Sequence, residues 1–236
     1  MFSDVFKEHS VDEAEEIFIC GTRTTTPRPS EVKKEWPYPW LYSRVFLLFS
    51  LASFLLWICY AFFQNPNVIP GLIVLSSFTV PLSTMVLFVE VNAWRDISLY
   101  KAIQVFLVGG CSSLVATLLL FDIVGSGGGF DLFGALMIGM IEEVGKAVIV
   151  YFFLSRMSRY TILDGLLIGS CVGAEFAAFE SAGYALNFLM QGGSDMMMNV
   201  IFLRAFLAPG GHVTWAAISG AALAIAAREK VEMNFS

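Results

Sequence analysis

Residues 132–154 read LFGALMIGMIEEVGKAVIVYFFL, an apolar run interrupted at its centre by Glu142, Glu143 and Lys146. About 20 apolar residues at 1.5 Å rise each cross the ~30 Å hydrocarbon core of a bilayer, so the run predicts a transmembrane helix. A charged side chain near the bilayer centre costs at least ~2.5–3.5 kcal/mol. Ionisable groups kept there against that cost point to function. The next apolar run carries Glu175 and Glu180, and the one after it His212. Together they predict a buried polar site shared by three membrane helices.

The rest of the chain supports that setting. Of 236 residues, 57% are hydrophobic and 14% charged, against roughly 25% charged in soluble domains. Six spans are expected, at 45–63, 68–89, 101–121, 132–154, 162–188 and 200–227, separated by polar or turn-forming segments. The fold class is therefore all-α, a polytopic transmembrane bundle occupying residues 44–230. Residues 1–43 are polar, acidic and proline-bearing, and predict a largely flexible tail with one short helix around 11–19. The tail lacks the apolar core of a leader peptide.

Basic residues orient the bundle. Lys7, Arg23, Arg28, Lys33, Lys34 and Arg44 lie in the tail and its junction, and Arg95, Lys101, Arg156, Arg159, Arg228 and Lys230 in the even connections and the C-terminus. The first, third and fifth connections contain none. Such segregation predicts both termini in the cytoplasm of a cell-membrane protein. Trp36, Tyr38, Trp40 and Tyr42 read as an interfacial aromatic belt, and Met196–Met198 as an interfacial helix start. The four cysteines imply no disulfide framework. Nothing predicts a nucleic-acid partner, and Gly127–Gly129 is followed by no phosphate-binding lysine.

Local spacing adds chemistry. Lys146 follows Glu142 by four residues and Glu143 by three, so its ammonium can pair with either. That pairing holds one carboxylate ionised and leaves the other to serve as general base. Phe176 precedes Glu180 by one helical turn and shares its face, whereas Glu175 is rotated from Glu180 by about 140° and is expected to be structural. Ala208-Pro209-Gly210-Gly211 directly precedes His212. Proline and glycine there predict a broken helix, which at membrane depth lines protein or a wet cavity. Its free N–H groups would face the pocket and stabilise an oxyanion.

These residues resemble a known family. Glu142-Glu143-Val144-Gly145-Lys146 is similar to the EExxK motif of the PrsW-type intramembrane proteases, within the wider CAAX-protease and APH-1-like superfamily. Phe176–Glu180 resembles their FxxxE motif, and Arg204, Pro209 and His212, with Thr214, Trp215 and Gly220, the third. Asp164-Gly165 also resembles the family, and the likeness covers about residues 70–227. One departure is Ser181, where the family commonly has Asn.

The resemblance implies an endopeptidase that hydrolyses a peptide bond in a membrane-anchored substrate, as in regulated proteolysis of an anti-sigma factor. Its catalytic residues would be Glu142, Glu143, Glu180 and His212. Lys146, Phe176 and Arg204 would support them, with Arg204 some 12 Å from His212 along an ideal helix. The cofactor would be none, or one divalent metal such as zinc on Glu143, Glu180 and His212. Two other classes stay open. A non-catalytic scaffold or chaperone would use the same fold without hydrolysis. An ion-coupled transporter would also need intramembrane carboxylates, but the two halves show no inverted repeat.

Overall fold

A computed structural model describes residues 2–22, 24–32, 35–124, 132–157 and 159–234, with the side chains of 209 and 228–234 excepted. The glycine loop at 127–129 lies outside the described residues. Among those described there is no strand. The helices are α1 (Val11–Phe18), α2 (Leu41–Phe63), α3 (Ile69–Val91), α4 (Leu99–Gln104), α5 (Gly110–Val124), α6 (Leu132–Ser155), α7 (Ile162–Leu207) and α8 (His212–Asn234). A π-helical turn at Val105–Gly109 joins α4 to α5 in one membrane-length rod.

Four stretches are long and apolar enough to cross a membrane: Leu41–Phe63, Pro66–Val91, Leu99–Val124 and Ile162–Ala227. The chain is thus an all-α, polytopic integral membrane protein. Helix α6 has the length, 24 residues, but carries the three central ionisable residues. Ile162–Ala227 is 66 residues long and folds back on itself. Gly193 turns the chain in the left-handed region (φ 77), which glycine reaches without the Cβ clash that opposes it in other residues. It divides α7 into a first arm, 162–192, and a second arm, 194–207. A 3-10 turn at Ala208–Gly210 then breaks the return before α8.

The first arm is the axis of the bundle, with an unbroken buried stretch from Leu167 to Ala178. Its Gly165, Gly169 and Gly173 lie against Gly220, Ala216 and His212 of α8, which makes the two helices antiparallel. Ser181 and Ala185 meet Arg204 and Met197 in the same sense. The second arm and α8 therefore form one antiparallel return, broken at mid-depth. Close backbone approach through small residues is how helices associate where lipid removes the hydrophobic drive. Met197, expected at an interface, is fully buried with Leu72, Ile73, Ala185 and Ile201.

The N-terminal segment is more ordered than its composition suggests. Ser10 and Glu13 form a capping box on α1, and Ile17 and Cys20 are buried. The His9 ring stacks on Trp40 at 3.7 Å, and Arg44 donates to the Lys7 carbonyl at 3.0 Å. Part of the expected flexible tail is thus packed. Trp40 leaves the aromatic belt for the same reason, while Trp36 and Tyr38 stay exposed.

Glu90 anchors this end. The N–H groups of Trp40, Leu41 and Tyr42 all donate to its carboxylate, each at 2.8 Å, filling the donors that a helix start leaves bare. Glu90→Ala is expected to cost about 2–3 kcal/mol, since bonds to a charged acceptor are strong and their loss strands buried donors. Thermal unfolding in detergent measures it, and Glu90→Gln should recover part of the loss.

Candidate active site

Three elements deliver the site. Glu142, Glu143 and Lys146 sit midway along α6, Phe176 and Glu180 midway along the first arm of α7, and His212 at the first residue of α8. The break at 208–211 is what places His212 at that depth.

Lys146 is the centre of the cluster. Its side chain is fully buried, and Nζ lies 2.5 Å from Glu143 Oε1, 2.8 Å from His212 Nδ1 and 4.4 Å from the Phe176 ring centroid. Phe176 also packs on the imidazole, ring centroids 5.2 Å apart. On the other side of the ring, His212 Nε2 is 2.8 Å from Glu180 Oε2. An ammonium has donors only, so the network assigns His212 Nδ1 as acceptor and Nε2–H as donor to Glu180.

Glu180 is held from behind. Arg204 Nη2 pairs with Glu180 Oε2, its Nε donates to Ser181 Oγ at 2.8 Å, and its guanidinium covers the Tyr184 ring at 4.6 Å. Arg204 reaches the site because the turn at Gly193 folds the second arm back along the first. Glu142 completes the group, with Oε2 at 3.8 Å from His212 Nδ1. The Glu142, Glu143, Glu180 and His212 side chains keep 14%, 31%, 20% and 25% of their surface exposed.

The arrangement brings together all four candidate catalytic residues and all three supporting ones. It differs from expectation in one respect. Among the described residues, those whose ligand atoms lie within 4.8 Å of one another are Glu142, Glu180 and His212. Glu143, expected in the metal set, instead pairs with Lys146. Glu175 points elsewhere, as its angular offset implies: it is fully buried against Gly110 and meets Cys111 Sγ at 3.2 Å.

Sequence reasoning passed over Ser181 as a positive contributor and Tyr184 altogether. Ser181, at the family's departure, accepts from Arg204 Nε. The small-residue register Gly165, Gly169, Gly173 was a four-residue repeat visible in the chain.

A profile described as PrsW family intramembrane metalloprotease matches residues 98–235. No curated protein and no solved structure matches the chain.

Proposed function

The chain belongs to the PrsW family of intramembrane metalloproteases, and on that premise we propose that Glu142, Glu143, Glu180 and His212 form its hydrolytic centre. As a member it is a peptidase working within the bilayer, where its substrates are membrane-anchored. The observation that supports the site assignment is the convergence of the three motifs on His212, within 2.8 Å of both Lys146 and Glu180.

Lys146 holds Glu143 ionised, so Glu142 is the carboxylate left to act. It accepts a proton from water as the oxygen adds to the peptide carbonyl, and returns that proton to the departing amine. The developing oxyanion lies beside His212 and the start of α8, where the first N–H groups and the positive end of the helix dipole converge. Glu180 and Arg204 hold the imidazole in its tautomer. Lys146 keeps the local charge balanced in a medium that screens it poorly.

By residue type and spacing, Glu142, Glu180 and His212 suit one divalent ion such as zinc, which would polarise a bound water. In the tautomer this network assigns, Nδ1 accepts from Lys146 and Nε2 carries the proton given to Glu180, so an ion taking Nε2 would release that proton. We read water activation as the work of Glu142, without a metal. Elemental analysis of purified protein should find no stoichiometric ion, and chelator should leave cleavage intact. One ion per chain, lost together with activity, would overturn the metal-free reading.

We place the protein in the cell membrane with both termini cytoplasmic, and its substrate among membrane-anchored regulators of the anti-sigma-factor kind. The test is reconstitution with membrane proteins into liposomes, followed by identification of new N-termini. Wild-type protein should create new N-termini in or beside membrane segments, and His212→Ala should not. Identical sets from both would refute proteolysis at this site.

A further inference from the structure

We propose that the N-terminal segment is a lipid-binding foot, with Phe6 inserted into the bilayer surface beside the start of α2. Residues Ser3–Phe6 form a 3-10 turn. Within it Val5 packs on the core cluster, whereas Phe6 keeps 92% of its surface exposed. Phe2, Trp36 and Tyr38, which also lie near the start of α2, are exposed as well.

Three contacts fix the turn at a known depth. The Phe2 ring meets Tyr42 edge-on, centroids 6.1 Å apart. Arg44 Nη2 donates to the Lys7 carbonyl at 3.0 Å. His9, whose Nε2 donates to the Asp4 carbonyl at 2.7 Å, stacks on Trp40. Helix α2 is a membrane span from Leu41 onward, so its first turn lies at headgroup level, where aromatic side chains collect.

The same contacts place Phe6 next to lipid. Arg44 heads a row on one face of α2, followed by Leu48, Leu51, Leu55 and Phe62 at steps of four, three, four and seven residues. All four are more than half exposed. On a spanning helix such a row faces acyl chains. Lys7 is held by the residue at the head of that row, and Phe6 directly precedes it. Phe6 thus continues the lipid-facing surface of α2 beyond the helix end.

Charge decides which lipid the foot fits. Between Asp4 and Glu16 the chain holds six carboxylates and one lysine, and that lysine is already paired with Asp4 at 2.7 Å. An anionic leaflet attracts basic segments and repels one like this. Insertion therefore rests on apolar burial, and the partner is a zwitterionic phospholipid surface. Ala14, Ile17 and Phe18 of α1 pack inward, which turns Asp12 and Glu16 away from the bundle by helical angle.

The test uses the photoreactive residue p-benzoylphenylalanine, placed at Phe6 or at Glu16 of the full chain in phosphatidylcholine nanodiscs. After irradiation, intact mass spectrometry counts phosphatidylcholine adducts. The probe extends a side chain that is almost wholly exposed, so the fold is retained, and size exclusion checks it. Position 6 should give about tenfold more lipid adduct than position 16, in keeping with burial of one aromatic side chain. High salt should leave that ratio unchanged. No lipid adduct at position 6, or equal yields at the two positions, would overturn the foot. So would a probe at position 6 that captures a soluble protein in cells and no lipid in nanodiscs, which would assign the surface to a protein partner.

Discussion

Glu142→Gln should lower substrate cleavage in cells by about 10²–10⁴-fold, the usual contribution of a positioned general base, with the thermal midpoint of the solubilised protein unchanged. Glutamine keeps the shape of the side chain and cannot take a proton from water. Glu142 is not the partner of the buried lysine, so neutralising it leaves the Lys146–Glu143 pair at 2.5 Å intact. Glu143→Gln should behave differently. It leaves the fully buried Lys146 ammonium without its carboxylate, and breaking a buried pair costs about 3–5 kcal/mol. Its loss of activity should therefore come with a loss of stability, partly recovered in Glu143→Gln with Lys146→Met. If Glu142→Gln kept full activity and Glu143→Gln lost it without destabilisation, the two carboxylates would have exchanged roles.

The second large effect concerns the crossing that carries His212. A Cβ on Gly169 would fall on the Ala216 carbonyl and the Ala217 α-carbon, both backbone atoms that cannot step aside. Gly169→Ala is expected to cost about 1–3 kcal/mol, the range for overpacking a tight contact, and Gly169→Leu to prevent recovery of a monodisperse protein. Gly139→Leu is the control, since a Cβ there meets nothing within 4 Å. Size-exclusion profiles and thermal midpoints of the three variants decide it. A Gly169→Leu protein as stable as wild type would mean that α7 and α8 are not packed backbone to backbone.

Much of the site was legible in the chain because membranes make ionisable residues conspicuous. The depth of Glu142, Glu180 and His212 followed from span limits alone, and the break before His212 from one proline and two glycines. Glu175 was separable from Glu180 by helical angle. What the chain left open depends on helix rotation and on contacts distant in sequence. Spacings of three and four residues both reach Lys146, so only the packing of α6 against α8 selects Glu143. The residues whose ligand atoms lie within 4.8 Å of one another are accordingly Glu142, Glu180 and His212. Arg204 pairs with Glu180 through a fold-back at Gly193 that composition marks as a turn without giving its direction. The tail read as solvated because its contacts, His9 on Trp40 and Cys20 on Ile97, join segments many residues apart.

The most direct test of the central claim is quantitative membrane proteomics on cells carrying either wild-type protein or Glu142→Gln with Glu143→Gln, matched for expression and insertion. A membrane-anchored protein that accumulates at full length only with the variant is the expected result, and it names the substrate. Indistinguishable membrane proteomes, with the variant inserted normally, would contradict hydrolysis by these residues and favour a scaffold built on the same fold.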